Sequence, residues 1–391
     1  MPHASGTRPP SEAVTTMDQT TTAGRHQKTR NRVFRMFYDT DDSFTKQQVA
    51  TELGLSLPTV HQSLTELYDD GLIYENGQEQ STGGRPATRL AMDGDARNAI
   101  GVLVTDHHFR LIATNLRRDE VATRTTRHEP ASSIDALGDM LARELESFVD
   151  DEGIDRTRLL GVGVAIPGII DRDADTLTHA PTLRLTDAPL EGLRSRIPYP
   201  TSFGNDANLG GFAEWYMRPN TKSIAYLSLE SGVGGAVLLR GAPYVGDDGR
   251  SGEFGHICVE TGGRTCSCGR RGCLEAYCST RCLSDDLGLT LEEFFSALDK
   301  GDGRAQEVWD SYLSHLAIGV NDIHLALDCD VIIGGGVVRY LDPWLEAIRG
   351  RVAALDIFGS DASYVSLSHL YRHATQLGAA LLCIDDFASN V

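Results

Sequence analysis

No stretch of 18 consecutive apolar residues occurs in the 391 residues, and no signal-peptide pattern opens the chain. Without either, no membrane-spanning helix is expected, and the chain reads as a cytoplasmic protein without a membrane partner. Positive charge is scarce as well: 36 Lys and Arg face 55 Asp and Glu, for a formal net charge of -19. So acidic a body disfavours non-specific contact with nucleic acid or an anionic membrane. The same acidity would also suit a salty cytoplasm. The deficit is uneven, because residues 1–90 hold nine Lys/Arg against eleven Asp/Glu and leave -17 for the rest. The front end can therefore still meet DNA where its cations cluster. Short-period internal repeats are lacking. Large apolar side chains are few in residues 1–24, which are rich in Pro, Ser and Thr and are expected to form a disordered tail.

What is present begins with a helix-turn-helix pattern. Residues 29–38 place Val33, Met36 and Phe37 on one helical face. Thr45 and Gln48 make a capping-box signal for a second helix containing Val49 and Leu53. Gly54 supplies a turn, and Ser56 can cap a third helix whose inward face is Val60, Leu64 and Leu67. Ala50, Gly54 and Val60 stand at the three constrained positions of a helix-turn-helix: a small residue for close packing, a glycine for a left-handed turn, a branched residue to lock the helices. Thr59, His61 and Gln62 then point outward and can reach base edges in the major groove. After Gly71, the run Leu72-Ile73-Tyr74, a polar turn and Gly83-Gly84-Arg85-Pro86 read as a β-hairpin wing, with Arg85 suited to the minor groove. Residues 25–92 are thus expected to be a winged helix-turn-helix DNA-binding domain; a tri-helical module for protein contacts is the alternative. Arg25, Lys28, Arg30, Arg32 and Arg35 suit either phosphate contacts or a solvated helix face.

From residue 99 the pattern changes to strands alternating with helices. Strands are expected at 99–104, 111–114, 160–166, 224–229, 235–239 and 331–333, and an amphipathic helix at 134–149 with Ile134, Leu137, Leu141, Leu145 and Phe148 inward. Glycine-rich breaks at the strand ends point to an α/β body with a ligand cleft. Within it, Glu253-x-x-His256 is followed by Cys266-x-Cys268-x4-Cys273 and Glu275. One imidazole and three thiolates form a closed tetrahedral set suited to Zn2+, and a full protein shell leaves no position for an activated water, so a structural zinc is expected. Reduced, unliganded cysteines are the alternative. Cys258, Cys278, Cys282, Cys329 and Cys383 lack such partners and read as small apolar residues. At Asn205-Asp206, a carboxylate beside an amide at a strand end can hydrogen-bond a polyol, and Asp206 can act as a base toward a sugar hydroxyl. Alone, the same pair is equally a turn signal.

Together these residues resemble the ROK family (repressor, open reading frame, kinase), in the subgroup with an N-terminal winged helix, over residues 25–390. The signature runs from Leu229 to His256, with Gly232, Gly234, Gly235, Gly246, Gly252 and Gly255 at the family's spacing. The Cys266–Glu275 element follows, and Ser81–Pro86 matches the usual end of the wing. The resemblance implies a two-lobed actin-like (ribonuclease H-like) sugar-kinase fold over residues 93–391, with a zinc element at 253–275. It implies a sugar held between the lobes by the residues matching Gly168, Asn205, Asp206, Glu253, His256 and Glu275. Asp206 corresponds to the kinases' catalytic base, and His256 would bind zinc with one edge and face the sugar with the other.

The departures bear on activity. Kinases of the family carry an Asp-x-Gly-x-Thr loop for ATP phosphates, where this chain has Leu103-Val104-Thr105-Asp106-His107. Their second phosphate loop begins Gly-Thr-Gly, where this chain has Glu230-Ser231-Gly232. Carboxylates at 106 and 230 repel a polyphosphate. Gly334–Gly336, matching the adenosine loop, is retained and is expected to serve packing. Pro181-Thr182-Leu183 replaces the frequent Pro-Asn-Leu and leaves the sugar's identity open. The expected function is a sugar-responsive transcriptional repressor, not an enzyme. It would bind operator DNA as a homodimer or dimer of dimers, and a sugar or sugar phosphate would release it. The rivals are an ATP-dependent hexose kinase carrying a DNA-binding module, with Asp206 as its base, and a regulator controlled by a protein partner.

Overall fold

The computed structural model describes residues 22–40, 42–79, 86–218, 221–370 and 373–391. They fall into two compact units: one of residues up to 164 with 191–203 and 379–391, the other of 165–190 and 204–378.

The first unit opens with α1 (Thr22–Thr40), β1 (Phe44–Thr45), α2 (Lys46–Leu53) and α3 (Leu57–Asp69), followed by the hairpin strands β2 (Ile73–Gln78) and β3 (Thr88–Met92). The three strands form an antiparallel sheet in the order β1-β3-β2. Short-range caps start the helices where expected. The Thr45 side chain accepts from the Gln48 N–H while the Gln48 side chain accepts from the Thr45 N–H, closing a capping box on α2. Gly54 ends that helix at φ +63°, with no atom near the position of a Cβ, so its role is conformational. Ser56 accepts from the Thr59 N–H and caps α3. Val33, Phe34, Phe37, Tyr38, Val49, Val60, Leu64, Leu67 and Leu72 are buried. Each contributes about 1.5–3 kcal/mol of apolar transfer, which outweighs the helix propensity of the β-branched members.

Three expectations need adjustment. Helix α1 begins at Thr22, so residues 22–24 are helical and not tail. Three arginines read as possible phosphate contacts have partners inside the protein: Arg30 pairs with Asp70, Arg32 donates to the Leu53 carbonyl, and Arg35 pairs with Asp385. The third concerns packing across residue 92. Helix α1 lies on the end of α11 (Ala374–Asn390), through the edge-on Phe34–Phe387 pair and bonds from Gln27 to Asn390 O and from Asn31 to Ala388 O. The helix-turn-helix and the C-terminus therefore share one unit.

That unit also holds β4 (Asn98–Val104), β5 (His108–Asn115), β6 (Glu120–Arg127), α4 (Ile134–Asp151), β7 (Leu159–Ile166), the short α5 (Glu191–Arg194) and β11 (Thr201–Asn205). The sheet order is β11-β7-β4-β5-β6. The period-3.6 face of α4 is buried as expected, with Ile134, Leu137, Leu141, Leu145 and Phe148 inward.

In the second unit, β8 (Ile169–Asp171), β9 (Thr176–Ala180) and β10 (Leu185–Pro189) make a small antiparallel sheet. The larger sheet is built from β12 (Ile224–Leu229), β13 (Val233–Leu239), β14 (Ala242–Pro243), β15 (Asp330–Gly334) and β16 (Val365–Leu367), in the order β14-β13-β12-β15-β16. Strand β12 pairs parallel with β15 and antiparallel with β13. Helix α6 (Asp206–Tyr216) packs on β12 and β13, and the rest of the unit carries α7 (Glu275–Cys278), α8 (Leu291–Asp299), α9 (Gly303–Leu327) and α10 (Leu345–Ala353). Trp309, Tyr312, Leu316 and Val320 of α9 share one apolar cluster with Ala225, Leu227, Val331 and Ile333 of the sheet. Among the described residues no helix is long and apolar enough to cross a membrane.

Candidate functional site

His256, Cys266, Cys268 and Cys273 come together in the second unit, with their ligand atoms all within 4.8 Å of one another. Backbone bridges Cys258–Cys273 and Thr265–Arg271 fold the loop back on itself. The Cys268 and Cys273 sulfurs are 3.8 Å apart, and His256 Nδ1 lies 3.8 Å from the Cys266 sulfur. A tetrahedron with metal–sulfur bonds of about 2.3 Å has edges of about 3.8 Å, so the spacing fits a zinc ion. Burial pushes Cys266 up and Cys273 up to about 12, while the Arg270 N–H draws Cys268 down. Left without a cation, the two buried thiols stay protonated, and a metal ion among the three would ionise them. Of the cysteines read as small apolar residues, Cys258 is exposed, Cys383 is half-buried, and Cys278, Cys282 and Cys329 are buried.

The residues read as sugar ligands belong to the same unit. Asn205 caps α6, accepting from the Asn208 N–H at 3.0 Å, and its amide donates to the Gly168 carbonyl at 2.9 Å. Gly168 sits at φ +143°, where a Cβ would lie 2.5 Å from the His179 carbonyl, so only glycine fits. Asp206 follows at the first turn of α6 and accepts from the Ala207 N–H at 2.9 Å. Burial raises its carboxyl above the ordinary range, and the nearby Glu253 carboxylate adds to the rise. Glu253 in turn stands 4.0 Å from His256 Nε2. His256 thus turns Nδ1 to the thiols and Nε2 to Glu253. The loop carrying both can approach β13 only because Gly255 lacks a Cβ, which would fall 2.1 Å from the Val233 carbonyl.

Glu275, read as a sugar ligand, is engaged within the protein. One oxygen accepts from the Ser267 hydroxyl at 2.6 Å and the other from the Val233 N–H at 3.1 Å. It joins the cysteine loop to the glycine turn that precedes β13. Ser267 had no signal in the sequence beyond its place between two ligand cysteines.

Local contacts occupy both positions compared above with phosphate loops. Thr105 and His108 close the β4–β5 turn: the Thr105 N–H and hydroxyl donate to the His108 carbonyl, and the His108 N–H donates to the Thr105 hydroxyl. The Glu230 carboxylate stands against Gly336, 3.2 Å from where a Cβ would be. A carboxylate there repels phosphate oxygens. Gly334 and Gly335 make room for the Tyr226 ring and the Leu229 backbone, a packing role.

On α3, His61 and Gln62 are exposed, while Thr59 is half-buried with its hydroxyl 2.7 Å from Ser56 Oγ. The Gln62 amide donates to Glu66 at 3.3 Å. Arg85 lies outside the described residues, as do all of 80–85.

Two five-stranded sheets, a capped helix presenting Asn-Asp and a His/Cys3 loop define an actin-like, sugar-kinase class of α/β protein with a helix-turn-helix at its front. The ROK family model matches residues 99–386, and the chain belongs to that family. The xylose repressor of Bacillus subtilis (strain 168) is 27% identical over 357 residues, covering 89% of this chain and 92% of that protein. The N-acetylglucosamine repressor of Escherichia coli O6:H1 is 26% identical over 374 residues, covering 90% of each. The crystal structure of a ROK family transcriptional regulator, a homologue of the E. coli MLC protein, superposes with a TM-score of 0.78 at 19% identity, over 94% of this chain and 97% of that one. The fold is therefore shared along nearly the whole chain, helix-turn-helix included.

Proposed function

We propose that this chain is a sugar-responsive transcriptional repressor. It binds operator DNA as a homodimer through α3 and the wing, and leaves it when a sugar or sugar phosphate occupies the wall formed by Gly168, Asn205, Asp206, Glu253 and His256. Zinc held by His256, Cys266, Cys268 and Cys273 is structural: it orients His256 so that Nε2 faces the sugar, and Glu275 extends that hold to the glycine turn. Sugar binding shifts the population toward a state with lower DNA affinity. What supports this reading is the acid at Glu230 against Gly336 in the unit that holds Asn205, Asp206, Glu253 and His256, together with the exposed His61 and Gln62 on a capped third helix. The site recognises a sugar and repels a nucleotide. The repressors of xylose and of N-acetylglucosamine among its relatives name the first sugars to try.

The test is DNA binding by the full chain to the region around its own gene, followed by anisotropy with and without xylose, N-acetylglucosamine and their phosphates. One of these weakens binding at least about tenfold, a coupling of about 1.4 kcal/mol. Glu253→Ala binds DNA normally and no longer responds. One observation favours a second reading, a hexose kinase: Asp206 is retained, with the raised carboxyl a base requires. A coupled assay with ATP and a hexose panel separates the two, since turnover above about 1 per second would establish the kinase.

A further inference from the structure

His61 projects from the exposed face of α3, and its Nδ1 lies 3.2 Å from the Lys46 ammonium at the start of α2. The Thr65 hydroxyl, 3.4 Å from the same nitrogen, directs its own hydrogen to the His61 carbonyl at 2.9 Å. Lys46 is thus the donor to the ring. An ammonium has three hydrogens and no lone pair, so Nδ1 must be the acceptor. The ring is then the neutral tautomer with its hydrogen on Nε2; an imidazolium, with no acceptor, cannot make this bond. Both other polar readers of α3 have local partners, Thr59 with Ser56 and Gln62 with Glu66, whereas Nε2 has none among the described residues.

We infer that Lys46 is a positioning residue that fixes His61 as a hydrogen-bond donor, and that His61 reads guanine through O6 and N7 in the major groove. This assignment rests on the DNA-binding reading above. Guanine shows two adjacent acceptors there, adenine one acceptor beside an amino donor, thymine one acceptor beside a methyl group, and cytosine only a donor. A ring presenting N–H alone is matched best by guanine and is opposed by cytosine. With the other tautomer, Nε2 would accept, and the preference would run toward the amino groups of adenine or cytosine.

The experiment is selection from randomised duplexes by the full-length chain and by the Lys46→Met, Lys46→Arg and His61→Ala variants. Affinities for the selected site are then compared with 7-deazaguanine placed at single positions. The wild type enriches a guanine at one position per half-site, and 7-deazaguanine there lowers its affinity on the order of tenfold. His61→Ala loses that guanine preference and is indifferent to the 7-deaza change. Lys46→Met relaxes the same position alone, leaving the other positions of the site unchanged, and Lys46→Arg, which still donates, restores it. A Lys46→Met variant that keeps the full guanine preference overturns the assignment, as does a His61→Ala variant as sensitive to 7-deazaguanine as the wild type. Failure of the wild type to enrich any sequence overturns the DNA-binding reading itself, an outcome distinct from both.

Discussion

The helix-turn-helix and the loop wall at 252–275 hold their functional side chains by different physics. In the first, nine large apolar residues between Val33 and Leu72 are buried and short-range caps start two of the three helices. In the second, only Phe254, Cys266, Cys273 and Leu274 are buried apolar groups, and the loop is shaped by glycines, by the Glu275 carboxylate and by a His/Cys3 set spaced for zinc. A module built on many apolar contacts loses stability by degrees. A loop organised around one ion, as proposed for this one, would lose its geometry at once.

The largest test of that contrast is Cys268→Ser. Structural zinc supplies on the order of 10 kcal/mol in small domains, so the variant should lose bound metal by elemental analysis and any thermal shift with sugar, while sequence-specific DNA binding persists. Loss of DNA binding together with the metal would show that the two regions do not stand independently. Next comes Leu64→Ala, 2% exposed in α3. A cavity there costs about 2–5 kcal/mol, so denaturant titration should show the DNA module unfolding early while the sugar-induced shift survives. Ser56→Ala removes one cap and should lower the same transition by about 1 kcal/mol. A loss several times larger would mean that Ser56 does more than cap.

The smallest effect concerns Asp206. Its carboxyl is raised by burial and by Glu253, so the folded state binds the proton more tightly than the unfolded one. Stability therefore falls as pH rises from the ordinary carboxylate range through that raised value. Asp206→Asn should raise the melting temperature at neutral pH and match the wild type in acid. A variant less stable at every pH would mean that the charged form is stabilised by contacts that outweigh its burial.

How far the residues could be read in advance followed the range of their interactions. The Thr45–Gln48 box, the Gly54 turn and the Ser56 cap depend on neighbours within a few positions, and each is found where spacing placed it. The His/Cys3 set was legible because its ligand types and their spacing are sufficient to name a metal class. The partners of Arg30, Arg32 and Arg35 are not legible in the sequence because Asp70, Leu53 and Asp385 lie 40, 21 and 350 residues away. The start of α1 was placed late for a similar reason, since Gln27 and Asn31 are held by the end of α11, more than 350 residues on.

Residue types and short spacings alone thus determine the capped helices, the family and the His/Cys3 set, because each of these depends on chemistry within one segment. Packing of distant segments decides which atom of each donor faces which partner. It turns His256 Nδ1 to the thiols and Nε2 to Glu253, gives the Glu275 oxygens to Ser267 and Val233, and sets Lys46 against His61. A hydrogen bond is defined within a few tenths of an ångström, and only the assembled backbone fixes distances that finely.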